Sequence, residues 1–514
     1  MASSVTVIAQ RTVQCANFAS VAAYDWPLKL GPFDHLVAPF IPVAVVYVYK
    51  ALPASSAELV PVDRLHRAME RLLDYYPHQS GRLHIHESDG TREIDRVGAG
   101  ASLLEARCSD PLDAFCSPEH DGRVVITSLP DGGNALLAPF DPAMDKVLNG
   151  PLLTVQHTRF ACGSVALGIR LYHTLCDGGG YFQLVRHLAE LYRGLGAGDA
   201  TSGLACPPHI RPYLNDFHDK VTATDRQAAL AFQPELLYLV DESSAVKDDA
   251  APAVLPPPAP VVPLSPVTGR VMRFSAAELN ALKEHATGPN GEWASTFEAL
   301  AAHLHQRVYL ARLKLPHAPT PSSLVRDYLN PINTRSRLAS NDEAQGMPPG
   351  YFGNALLTTS TPMDHELLAE GAPLWRIAKV IHDLSRSPTF TDVNVLRQTI
   401  RWVAAQPDVR RVRDHFNFAP GAFMASQWNK LPTYAGADFD VDSHGAPIPP
   451  LLVAPPFTPI SLVDGLGYFV ATEEQFHRGV DVKSSSDIDL HLALSEPLWE
   501  ILNQDPEFRR FRKP

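Results

Sequence analysis

Between Asp241 and Thr268 the chain opens with mixed charges and then places prolines at 252, 256, 257, 258, 260, 263 and 266. Proline has no backbone N–H and a fixed φ, so this stretch can neither continue a helix nor pair in the centre of a sheet. It reads as an extended linker with polyproline character. At 514 residues, the chain exceeds what one hydrophobic core usually serves. The expected organisation is therefore an N-terminal domain over 1–240, a proline-rich crossover linker over 241–268 and a C-terminal domain over 269–514.

Both halves mix strands and helices. Val43 to Tyr49 is a β-branched and aromatic run that predicts a buried strand. From Pro61, the spacing of Leu65, Ala68, Met69, Leu72 and Leu73 predicts a helix that ends by Pro77. Strands follow at Leu153 to Phe160 and Val165 to Leu171, and a helical pattern runs through Leu184, Leu188 and Leu191. Beyond the linker, Val271 to Phe274 predicts a short strand, while Ser275 with Glu278 and Ser295 with Glu298 form two capping boxes. The second box opens a helix to about Leu313 that buries Phe297, Leu300, Ala301 and Leu304. Ile488, Leu490, Leu492 and Leu494 alternate as a strand with one buried face. The fold class expected is α/β, in two domains, each a mixed sheet with flanking helices.

A net charge of -12 without a basic stripe speaks against nucleic acid as a partner. The start of the chain lacks the features of a secretory signal, and the longest apolar run, Leu36 to Tyr49, is broken by Pro39 and Pro42 and too short to span a bilayer. A cytoplasmic monomer without membrane contact is expected. The six cysteines (Cys15, Cys108, Cys116, Cys162, Cys176 and Cys206) show no metal-ligand spacing and read as reduced thiols. His84 with His86 and His303 with His305 are close pairs, but neither pair has the third ligand a metal site needs, so no metal is expected.

The segment with chemistry in it is Tyr172-His173-Thr-Leu-Cys176-Asp177-Gly178-Gly-Gly180, placed between a strand and a helix. A strand end followed by a glycine turn holds a histidine where functional groups are commonly presented, and imidazole suits proton transfer near neutral pH. For an isolated histidine, a partly buried side chain bonded to backbone is the plainer explanation. Companion segments change that weighting. Tyr76-Pro77 with Gly81-Arg82-Leu83, Ser295-Thr-Phe-Glu-Ala-Leu300, Asn333-Thr-Arg335-Ser-Arg337-Leu338, Tyr351-Phe-Gly353-Asn354 and Ser426-Gln-Trp428-Asn-Lys-Leu431-Pro432 occur in one order along nearly the whole chain.

Together with His173 and Asp177-Gly178, these segments resemble the BAHD acyltransferases, whose signature is H-x-x-x-D-G. The family's second signature, DFGWG, stands here as Asp438-Phe439-Asp440-Val441-Asp442, without its glycines and tryptophan. That departure concerns loop shape and CoA positioning more than the base, and it suggests a divergent, fungal branch.

The resemblance implies a chloramphenicol-acetyltransferase-like fold with an active-site tunnel between two domains. It implies acyl transfer from an acyl-CoA co-substrate to a hydroxyl or amine of a small-molecule acceptor, with no bound cofactor. His173 would be the general base, acting in a ternary complex. Trp428 and Ser426 would offer an indole N–H and a hydroxyl to the oxyanion. Asp177 would brace the loop beside Gly178 by pairing with Arg335 or, failing that, Arg337, and Ser295 would contact the cofactor, with helix capping as its plainer role. Cys176 would be a bystander, since anionic Asp177 beside it disfavours thiolate. Two rivals follow from the same fold. One is a condensation-domain-like enzyme, which usually carries a second histidine where Tyr172 stands; the other is an inactive binding protein.

Overall fold

The β-branched run at residues 42–49 and the two strands before His173 assemble in the computed structural model, which describes residues 4–52, 58–198, 203–241, 265–316, 320–342, 346–479 and 486–511. Six strands form the first sheet: β1 (Val5–Val13), β2 (Pro42–Tyr49), β3 (Ala101–Cys108), β4 (Leu153–Phe160), β5 (Val165–Tyr172) and, from far along the chain, β6 (Leu452–Ala454). Their order is β1-β3-β4-β5-β2-β6, with β3 and β4 parallel and the other neighbours antiparallel. Strand β2 is buried from Val43 to Tyr49, because it lies between β5 and β6. Its Val43, Val45, Tyr47 and Tyr49 share one core with Leu65, Leu72 and Leu73 of helix α1 (Val62–Tyr75) and Leu184, Leu188 and Leu191 of helix α2 (Gly178–Gly196).

A second sheet of six strands belongs to the second half: Val267–Phe274, Ile488–Ser495, Leu466–Ala471, Phe423–Gln427, Asp327–Asn333 and Leu356–Pro362, in that spatial order. Its core is separate and is built around helix α3 (Thr296–Arg312), which buries Phe297, Leu300, Ala301 and Leu304. Both expected capping boxes are present, at Ser275 with Glu278 and at Ser295 with Glu298. Residues 242–264 of the expected linker lie outside the described residues; Val267 and Thr268, at its end, already belong to a strand.

Strand Ile488–Ser495 corrects one expectation. It is buried from Ile488 to Leu494, with a paired strand on each edge and its polar side covered as well as its apolar one. Asp489 is matched there by Arg273 at 2.8 Å, and the His491 ring packs against Phe457.

The halves are interleaved. Tyr434, Ala437 and Phe439 belong to the first core, Tyr49 donates its hydroxyl hydrogen bond to the Ala437 carbonyl at 2.6 Å, and β6 closes the outer edge of β2. Among the described residues no helix is long and apolar enough to cross a membrane, and the six cysteines are unpaired.

Candidate active site

Strand β5 ends at Tyr172, and the next residue is pinned at once: the His173 N–H donates to the Ile41 carbonyl at 2.8 Å. The chain then turns through Thr174 and Leu175 and enters α2 at Asp177. Asp177 is the N-cap of that helix, its Oδ1 accepting from Gly179 N–H at 2.9 Å and Gly180 N–H at 3.2 Å. Four positions thus separate a strand end from a capped helix, which holds the intervening loop rigidly.

The other oxygen of Asp177 reaches across to the second half. Oδ2 accepts from Arg335 Nη1 at 2.7 Å and from Ala355 N–H at 2.9 Å. Arg335 also donates to the carbonyls of Tyr351 and Gly353, tying segment 351–355 to the helix start. Arg337 points elsewhere, donating to the Phe390 and Asn333 carbonyls. Burial pulls the Asp177 carboxyl upward, but Arg335 and the Ala355 N–H outweigh it and leave the group below the ordinary carboxylate range. Gly180 permits the close approach, since a Cβ there would stand 2.0 Å from the Phe352 carbonyl oxygen. Cys176 is buried beside Asp177; its thiol is pushed well above the ordinary range, chiefly by burial and then by that carboxylate, so it is no nucleophile near neutral pH.

His173 itself is half-buried. Burial lowers its pKa against opposing pulls from its own main chain, Asp177 and Asn354, so the ring is neutral near pH 7 and able to accept a proton. Nδ1 is buried and has no well-aligned hydrogen-bond partner. The side chain beside it is Asn354, whose Nδ2 donates to the His173 carbonyl at 2.9 Å and to Asp34 Oδ1 at 2.8 Å. Asp34 is buried, and its Oδ2 accepts from Gly31 N–H at 2.8 Å. Asn354 lies in a segment that the sequence brings to notice without assigning it a role; nothing local to Asp34 marks it, because its partner is 320 positions away.

Ser426 and Trp428 interact with each other: the indole Nε1–H donates to Ser426 Oγ at 3.0 Å. The indole hydrogen is therefore committed, while the hydroxyl proton of Ser426 remains free for a further acceptor. Trp428 packs edge-on against Phe182 of α2, and Leu431 lies against Gly178, so this segment approaches the same helix start. Ser295 Oγ accepts from Glu298 N–H at 3.2 Å, while Glu298 Oε2 accepts from Ser295 N–H at 2.6 Å; its hydroxyl caps α3.

The altered second signature is an anchor. Asp440 Oδ2 accepts from Val60 N–H at 2.7 Å and Oδ1 from Arg64 at 3.0 Å, with the Tyr192 hydroxyl also donating. Asp438 pairs with Arg193 at 3.2 Å, and Phe439 packs edge-on between Tyr49 and Tyr192.

The histidine pairs need one correction. His84 and His86 do have a neighbouring carboxylate, because the hairpin register sets Glu93 opposite His84; one ligand atom from each of the three lies within 4.8 Å of the others. His86 Nε2 is 3.2 Å from Glu93 Oε2, as in an ordinary surface ion pair. His303 and His305 are buried core residues, the ring of His305 stacking on Tyr328 and Phe423.

The chain is similar to known proteins in sequence and in fold. The chain is 27% identical over 413 residues to shikimate O-hydroxycinnamoyltransferase of Nicotiana tabacum, covering 79% of this chain and 82% of that protein. It is 29% identical over 424 residues to a hydroxycinnamoyl-CoA:5-hydroxyanthranilate N-hydroxycinnamoyltransferase of Avena sativa, with the same coverages of 79% and 82%. In fold it is similar to vinorine synthase, with a TM-score of 0.62 at 14% identity over 97% of this chain and 96% of that one. F. graminearum TRI101 complexed with coenzyme A and deoxynivalenol gives 0.63 at 16% identity, over 95% and 99%. The model of the Transferase family matches residues 3–202 and 264–449. With His173 and Asp177 inside the first matched stretch and Arg335, Asn354, Ser426 and Trp428 inside the second, the chain belongs to the Transferase family, that of the BAHD acyl-CoA-dependent acyltransferases.

Proposed function

We propose that this protein moves an acyl group from an acyl-CoA directly to a hydroxyl or amine of a small-molecule acceptor, both substrates being bound together, with His173 as the general base. The observation that carries this is the division of labour in the loop. Asp177 is committed to Arg335, Ala355 and the helix cap, so the neutral His173 ring is left to accept a proton. His173 takes the proton of the acceptor nucleophile as it attacks the thioester carbonyl, and returns it to the departing CoA sulfur. The Ser426 hydroxyl, which accepts from the Trp428 indole, donates its own proton to the oxyanion in this reading. With the Cys176 thiol buried and kept protonated, no acyl-enzyme is expected.

The names of the relatives favour an aromatic, hydroxycinnamoyl-type acyl donor over acetyl-CoA, and they include both an O- and an N-acyltransferase. The test is a panel of hydroxycinnamoyl-, benzoyl- and acetyl-CoA with hydroxyl and amine acceptors, following thiol release and product mass. Turnover is expected in the wild type and none in His173→Ala at unchanged fold. Near wild-type activity in that variant, or acyl-Cys176 in an intact-mass spectrum, would overturn the mechanism.

A further inference from the structure

A buried carboxylate that no step of acyl transfer uses lies one residue away from the proposed base. Asp34 is 1% exposed, and three neutral N–H groups meet it: Gly31 N–H on Oδ2, and Asn354 N–H and Nδ2–H on Oδ1 at 3.2 and 2.8 Å. Arg92 stands nearby, but its guanidinium donates to the main-chain carbonyls of Asp34 and Val37 and to Thr174 Oγ1. Space alone does not call for a charge here. A neutral side chain of the same size would avoid the desolvation that pushes this carboxyl up to about 7.

What Asp34 imposes comes from its geometry: Oδ1 already accepts from the Asn354 main-chain N–H, so it meets the Asn354 side chain as an acceptor as well. It obliges Asn354 to turn its NH2 toward it, and the second hydrogen of that NH2 goes to the His173 carbonyl. Both amide hydrogens are thereby assigned, and the amide cannot flip. Asn354 Oδ1 is left buried without a partner in the same neighbourhood as His173 Nδ1, also buried and unmatched, and Asn354 is close enough to favour the protonated ring. A histidine carrying its neutral-state proton on Nδ1 satisfies both atoms and leaves the Nε2 lone pair for the reactants.

We propose that Asp34 is a positioning residue for the base: by fixing the polarity of the Asn354 amide across the domain boundary, it sets the tautomer and orientation of His173. This rests on His173 being the base. It assigns Asp34 and Asn354 to one series, Asp34 acting only through Asn354. The other charged groups facing the ring, Asp177 with Arg335 behind it and Arg92 beyond Thr174, are held by partners of their own and do not fix the amide.

The experiment is a double-mutant cycle on the full chain with Asp34→Asn, Asn354→Ala and both together, assayed with p-coumaroyl-CoA and shikimate or with the pair that the panel identifies. Asn at 34 offers donor and acceptor, so Asn354 can adopt either polarity. Each single variant is expected to lower kcat on the order of 10²-fold with KM for the acyl-CoA little changed. The acid limb of the kcat profile is expected to move to lower pH, since His173 loses a hydrogen bond that favours its protonated form. The double variant is expected to fall no lower than the weaker single one, as residues in series do. Wild-type kcat in Asp34→Asn, an unmoved acid limb, or losses that multiply in the double variant would overturn the proposal. Retained activity in His173→Ala would instead remove the reading it rests on. Thermal melts check folding, and Asp34→Ser takes the place of Asp34→Asn if the latter melts below the assay temperature.

Discussion

Two carboxylate clasps hold the halves of this protein together, and they differ in burial and in direction. At the active site, Asp34 and Asp177 of the first half reach into segment 335–355 of the second, and the Asp177 side chain is only 1% exposed. At the altered signature, Asp438 and Asp440 of the second half reach back to Arg193 and Arg64; these carboxylates are 12% and 15% exposed, and their arginines 33% and 30% against 21% for Arg335. A buried ion pair leaves no alternative partner when one member is lost, whereas water can replace part of a half-exposed one. The difference predicts that the first clasp tolerates substitution less well than the second.

The comparison can be broken from the first clasp downward. Asp177→Ala leaves the part-buried Arg335 and the Ala355 N–H without their shared partner and is expected to cost about 3–5 kcal/mol by denaturant unfolding. A loss near that of Asp440→Asn would erase the distinction between the clasps. Gly180→Ala sets a methyl group against the Phe352 carbonyl and is expected to cost about 1–3 kcal/mol and to depress kcat by displacing segment 351–355. Asp440→Asn keeps the shape of the second clasp and is expected to cost about 1 kcal/mol with kcat nearly unchanged. Ser295→Ala removes a helix cap worth about 1 kcal/mol. If KM for the acyl-CoA rises beyond what that loss explains, Ser295 also touches the co-substrate.

The two carboxylates of the first clasp separate by pH. Asp177 is held below its ordinary 3.8, so its share of stability is present above that value and is lost as acid protonates it. Asp34 is raised from 3.8 to about 7, so its share is present below 3.8 and is lost as pH rises through about 7. Stability of Asp34→Asn relative to the wild type is therefore expected to improve between about pH 5 and pH 8, and melts at both values check the sign.

Local patterns were legible in the sequence. The β-branched run at Val43, the strands before His173 and both capping boxes fall where spacing and residue type put them, because neighbours in sequence decide them. The His173 motif was visible for the same reason. Contacts between distant residues were not: the Asp34 to Asn354 pair leaves no periodic trace, and β6 has only three residues between prolines at 449, 450, 455 and 456. Likewise, a polar and apolar alternation over Ile488–Leu494 indicates a strand, but not that its polar face is covered too.

That three-residue strand bears on how the protein is made. When residue 240 leaves the ribosome, β2 has its partner β5 on one side, but its other side is an unpaired and strongly apolar edge of the kind that recruits other chains. The strand that covers it arrives only with Leu452. The first half is thus synthesised long before its sheet can close, and the nascent chain must shelter Val43 to Tyr49 while some 200 further residues are added. Expressing the halves separately would expose that edge permanently.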